Sequence, residues 1–230
     1  MPDGEAGSGA LRAHLHKLKS LRGDHEATPP RLAELKGWQR ERLASTYADL
    51  SSQPRYHAAT RFFLEDLYGP KDFSHRDQAM IRILPAMSRL LPKTAVETAA
   101  LAIELEALTE DLDHRVAAAL PPGPITEESY AEANRAAATF EERERQVDLI
   151  GAVGKRLDEL VRKPLVLQTL RLMRQPAKVA GLSDLQDFLE RGFCSFREMR
   201  GADEFLEAIR ARESEIVNRM FENRRARKSA

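Results

Sequence analysis

The stretch from Tyr130 to Arg162, YAEANRAAATFEERERQVDLIGAVGKRLDELVR, decides the fold class. It reads as one long helix ended by Pro164. At about 100° per residue, Val147, Ile150, Val153, Gly154, Leu157 and Val161 share one face, the pattern of a helix laid on a core. Arg143 and Gln146 fall in the middle of that face, where a charge and an amide need partners. Gly151 and Gly154 lower helix propensity, so the spacing predicts a neighbouring helix in close approach.

Helices are expected on both sides of it. Upstream, Thr126 caps the long helix with Glu127 and Glu128 against its dipole. Pro121-Pro122-Gly123-Pro124 ends a preceding helix that a Thr94-x-x-Glu97 capping box opens, with Leu101, Leu105, Leu108, Leu112 and Val116 as its stripe. Nearer the start, Thr28-Pro29-Pro30 opens a helix carrying Leu35, Trp38, Leu43, Tyr47 and Leu50. After Pro54 a second helix runs to Tyr68, where Gly69-Pro70 stops it, and Ser74-x-x-Asp77 opens a helix from His75 to Leu91. Downstream, Leu165–Gln175 ends at Pro176. Ser183-x-x-Gln186 starts a short helix that ends at Gly192, and a last helix runs from Asp203 with Phe205, Ile209, Ile216 and Met220 on one face. No segment alternates as a strand does, and no period repeats.

The expectation is therefore all-α: a single domain of about eight to ten helices around Tyr130–Arg162. Residues 28–222 form that domain. Residues 1–27 form a flexible arm whose short basic helix docks by Leu11, Leu15 and Leu18, and 223–230 form a basic tail.

The totals narrow the function classes. The chain has 36 Lys+Arg and 36 Asp+Glu in 230 residues, a net charge of zero, which disfavours a nucleic-acid-binding role. Cys194 is the single cysteine, so no internal disulfide forms, as in a reducing cytoplasm. No window is apolar enough to span a membrane and the start is polar, so a soluble, cytoplasmic protein is expected.

Motifs for catalysis are missing: no phosphate-cradling glycine loop, no nucleophile elbow, no His-Glu-x-x-His. Asp111-Leu112-Asp113-His114 supplies one Asp-x-x-His unit, and a di-iron bundle needs a pair of Glu-x-x-His units. His57, flanking the Tyr56 and Phe63 face, is either a haem-ligand candidate or a histidine at the edge of a helix interface. Arg143 on its core face, Glu104 beside the Leu101 stripe and Glu213 inside the last apolar stripe invite a bridged cluster. That cluster is either an internal ion pair that fixes helix register or a polar pocket for a small acid or metal. No cofactor is predicted, and haem or iron stays open at these residues. Cys194 reads as a small core residue.

Two motifs carry a resemblance. One is Phe62-Phe63-Leu64-Glu65-Asp66-Leu67-Tyr68-Gly69-Pro70-Lys71-Asp72-Phe73 with Arg76-Asp77 after it. The other is Leu185-Gln186-x-Phe188-Leu189-Glu190-x-Gly192-Phe193 with Met199-x-Gly201-Ala202. Together, over Arg55–Phe221, they resemble an uncharacterised family of bacterial, mainly proteobacterial, helical proteins classed as a domain of unknown function. The resemblance implies an all-helical bacterial protein and supplies no catalytic residues. The first motif is either a hydrogen-bonded corner or a recognition surface. The expected function is non-enzymatic, through protein partners or self-association; the alternative is a helical bundle holding a metal, haem or small acid.

Overall fold

A break at Ala138-Thr139 divides the expected central helix in two. The computed structural model describes residues 13–22, 28–67 and 93–228, with backbone alone at 66–67 and 223–228. Its elements are α1 (13–22), α2 (Leu32–Thr46), α3 (Ala48–Ser52), α4 (Pro54–Phe62, prolonged by a π turn over Phe63–Leu67) and α5 (Lys93–Ala119). Then come α6 (Glu127–Ala137), α7 (Phe140–Val161), α8 (Pro164–Leu172), α9 (Arg174–Val179), α10 (Ser183–Glu198) and α11 (Asp203–Lys228). Among the described residues there is no strand, and the all-α expectation holds.

The break has a local and a tertiary cause. Ala138 and Thr139 are extended, at φ −133° and −99°. Thr139 Oγ1 accepts from Glu142 N at 3.1 Å while Thr139 N donates to Glu142 Oε2 at 2.8 Å, a complete capping box. Arg115 of α5 then clamps the corner, donating to the Ala137 carbonyl at 2.7 Å and to Glu142 at 2.8 Å. A run of good helix formers hides this cap in the sequence, and an arginine from another helix decides for it. The surviving part, α7, does occupy the centre, flanked by α5 and α11 and touching α8 and α10.

Other boundaries also move. Thr28-Pro29-Pro30 precede the helix, which starts at Leu32 with Arg31 as N-cap. The helix expected to run on to Leu50 breaks at Tyr47, whose hydroxyl donates to Glu213 at 2.7 Å. Thr94 lies inside α5, where its Oγ1 accepts from Lys163. Pro176 opens α9 from its first turn instead of ending α8, a position where a missing N–H costs no helix bond. Gln186 turns to the Leu170 carbonyl at 2.6 Å, and the Ser183 cap is absent. Gly192 lies inside α10: a Cβ there would stand 2.8 Å from Phe62 Cζ, so close approach, not termination, is its role. Gly154 has the same role against Leu206, whereas Gly151 faces open space. Residues 223–228 continue α11 as helix where a tail was expected. The helix expected over His75–Leu91 lies outside the described residues.

Two large apolar clusters form the core. One joins Leu43, Tyr56 and Ala59 to Leu160, Val166, Phe196, Phe205 and Ile209. The other joins Leu35, Val116, Tyr130, Val147, Val217 and Phe221. Helix α1 docks separately, with Leu15 and Leu18 buried against Ile103 and Ala107 of α5. Arg22 reinforces this by pairing with Glu106 at 2.9 Å and Glu110 at 3.0 Å.

Candidate functional site

Polar residues punctuate the apolar faces where the clusters meet. On α2, Gln39 lies between Leu35 of one cluster and Leu43 of the other; on α11, Glu213 lies between Ile209 and Val217. Glu213 takes Arg42 at 3.1 Å and Tyr47 at 2.7 Å. Burial opposes the Arg42 charge, but Glu213 beside it wins and holds the guanidinium above its ordinary pKa.

Arg143 is 4% exposed and anchors a second network. Its Nε donates to Asn134 Oδ1 and its Nη1 to Gln146 Oε1, both at 2.8 Å, and Gln146 passes the chain to Thr109 at 2.8 Å. In one unbroken helix, residues nine apart lie about 13.5 Å along the axis and half a turn round, out of reach. The Ala138-Thr139 break is what lets α7 reach back to α6. Asp113 is also buried, accepting from Gln39 Nε2 at 2.9 Å. Burial pushes the Asp113 carboxyl above the usual carboxylate range, opposed by the Arg143 charge and the Gln39 hydrogen bond.

The sequence candidates are not brought together. Glu104 pairs with Arg145 at 2.7 Å near the surface, Glu213 belongs to Arg42, and the acid that feels Arg143 is Asp113. His57 is exposed, its Nδ1 2.9 Å from the Ser51 carbonyl, and so does not point into the core. Of the first motif, Phe62 packs on Gly192 and Phe188, and Phe63 contacts Phe196 and Phe205. Asp66 has backbone alone, in the π turn, and Tyr68, Gly69, Pro70, Asp72, Phe73, Arg76 and Asp77 lie outside the described residues. Among the described residues no three metal-ligating side chains gather.

A different surface stands out. Leu165, Leu172 and Val179 are 73%, 77% and 89% exposed, and they are the large apolar side chains most open to solvent among the described residues. All three project from α8–α9, seven residues apart, while Val166, Leu167 and Ala177 hold these helices to the core. From Leu160 to Leu182 the chain carries Arg162, Lys163, Arg171, Arg174 and Lys178 and no carboxylate, and of these Arg174 is engaged by Glu190 of α10. Beneath α8 opens a groove of about 550 Å³ lined by Arg162, Lys163, Arg171, Arg197 and Arg200, with Asp158 as its one acid. Arg162 engages that acid. Arg200 has φ +54°, a left-handed backbone that costs a non-glycine residue about 1 kcal/mol or more. The sequence signal for this surface was the carboxylate-free basic run.

Two of three comparisons with known proteins return nothing: no curated protein and no solved structure matches this chain. The third places it. A family model described as a domain of unknown function, DUF8198, matches residues 19–227, from α1 to the end of α11, so the chain belongs to the DUF8198 family.

Proposed function

We propose that this is a bacterial, cytoplasmic, non-enzymatic docking protein that binds an acidic amphipathic helix of a partner protein along α8–α9. The observation that carries the reading is the apolar row Leu165, Leu172 and Val179 inside a basic, carboxylate-free run. Solvent-exposed apolar residues scattered singly mean little; three of them seven residues apart on two consecutive helices, rimmed by charge, mark an interaction face. Covering them contributes roughly 5 kcal/mol before the entropy of association is subtracted. Charge chooses the occupant. A second copy docked face to face would set arginine against arginine, whereas a helix with leucines flanked by glutamates meets the surface with complementary sign. The bacterial origin rests on the motif resemblance and the compartment on the lone Cys194. No cofactor is invoked.

The test is titration of the full chain with a synthetic acidic amphipathic peptide, against a copy with every glutamate replaced by lysine. The acidic peptide should bind, weaken as salt rises, and lose at least about a hundredfold in affinity to a Leu165→Ser/Leu172→Ser/Val179→Ser variant, about 2.8 kcal/mol or more of the apolar contribution. Equal binding of the lysine peptide overturns the reading. So does a concentration-dependent dimer, in sedimentation, that the triple variant abolishes.

A further inference from the structure

We propose that the groove between the start of α8 and the end of α10 is an oxyanion site for a phosphoryl group, distinct from the apolar row. Five cationic residues line it, with one carboxylate among them. That carboxylate, Asp158, is engaged by Arg162, and Lys163 donates to Thr94 at 3.3 Å. Arg171, Arg197 and Arg200 form no ion pair among the described residues; Glu190, engaged by Arg174, acts on Arg171 from outside the groove, and Arg197 and Arg200 add two further guanidinium groups to the same opening. Like charges gathered this way repel one another, and a multiply charged anion between them turns that repulsion into attraction. Arginine suits phosphoryl oxygens because its planar fork presents paired N–H donors.

The backbone at the groove is strained at one of these arginines. The α10 dipole accounts for one cation at Arg197, in the last turn. It does not account for Arg200, past the helix end at φ +54°, where glycine would relieve the strain. Met199 before it is helical, at φ −63° and ψ −24°, so the chain turns from right-handed to left-handed backbone beside the groove. The Arg200 N–H donates to the Arg197 carbonyl at 3.3 Å, so an anion here is met by the arginine side chains and not by the backbone of the turn. A strained arginine held at the rim of an unpaired basic groove fits selection for ligand contact over stability.

The phosphoryl group belongs either to a small free compound or to a phosphorylated side chain of a partner. Sodium pyrophosphate and a phosphoserine peptide are the two probes, titrated calorimetrically into the full chain at fixed ionic strength. Binding of pyrophosphate alone assigns a free ligand, and binding of the phosphopeptide, absent for its unphosphorylated form, assigns a modified partner. Either is expected to fall about tenfold or more in Arg197→Gln/Arg200→Gly and to change less than about twofold in Lys155→Gln, which removes one exposed charge of α7 outside both the groove and α8–α9. Arg171→Gln, inside the groove, provides a second variant, and thermal melts confirm that each is folded. No binding of either probe at about 10 mM, or an equal loss in Lys155→Gln, overturns the proposal. Neither result bears on the apolar row, which the serine triple variant tests separately.

Discussion

Replacing Arg143 with methionine removes a buried charge while keeping much of the side-chain volume. Arg143 is 4% exposed, and the change deprives Asn134 Oδ1 and Gln146 Oε1 of donors at 2.8 Å. Asn134 is wholly buried, so its oxygen has no route to water without local opening. Breaking a buried charged network from one side costs about 3–5 kcal/mol. In a chain of this length each kcal/mol lowers Tm by about 2–4 °C, so a drop of about 6–20 °C is expected by calorimetry. Acidity supplies a second signature. Burial holds the folded Asp113 pKa above its unfolded value, with Arg143 opposing the rise. Such a group costs stability above its folded pKa and regains it as falling pH protonates it. Without Arg143 the Asp113 pKa rises further, so Arg143→Met should be most damaging above the folded Asp113 pKa and recover partly as pH falls below it. A melt unchanged within about 1 °C, or a deficit independent of pH, refutes the reasoning.

Four further outcomes follow from other parts of the structure. Thr139→Ala deletes one side of the capping box and should cost about 1 kcal/mol in chemical denaturation. Gly192→Ala gains helix propensity but drives a Cβ to 2.8 Å from the Phe62 ring, held in turn by Phe188, so a net loss of about 1–2 kcal/mol is expected. Glu110 sits in a buried site where burial raises its pKa, but Lys36 at 2.6 Å and Arg22 at 3.0 Å bring it below the usual value. Its contribution is therefore present above the unfolded carboxylate pKa and lost as pH falls through the folded one; Glu110→Gln should flatten that acid limb of the stability profile. Arg200→Gly should raise Tm by about 2–4 °C while weakening pyrophosphate binding, since the strain it relieves and the charge it removes belong to one residue.

The helical class was legible because apolar spacing along α7 and α11 is strong and no segment alternates. Thr126, Pro164 and the start at Asp203 also read correctly, being set by local chemistry. What misled was tertiary. Arg115 fixes a corner within Tyr130–Arg162 from a helix some twenty residues upstream, and a sequence pattern cannot weigh that bond. The single stripe assigned to α5 was too narrow. Helices α1, α2, α6 and α7 surround it, so Thr98, Ile103, Glu110 and Asp113 are buried while Leu101 and Leu105 are only half-buried. For the same reason Arg143 was joined to Glu104 and Glu213, the acids visible on apolar stripes, when the acid that feels its charge is Asp113, off the assigned stripe. The exposed row on α8–α9 was missed because hydrophobic spacing alone does not say whether a neighbour covers it. The clue was the lack of carboxylates from Leu160 to Leu182.

The docking claim is tested most directly by photo-crosslinking in the cell, with p-benzoylphenylalanine placed at position 165, 172 or 179 and, as a control, at the exposed Ala152 of α7. The account predicts one discrete adduct from the three α8–α9 positions and none from 152, with the crosslinked peptide sequenced as an acidic amphipathic segment of another protein. An adduct to a second copy of this chain, or the same pattern from position 152, would contradict it.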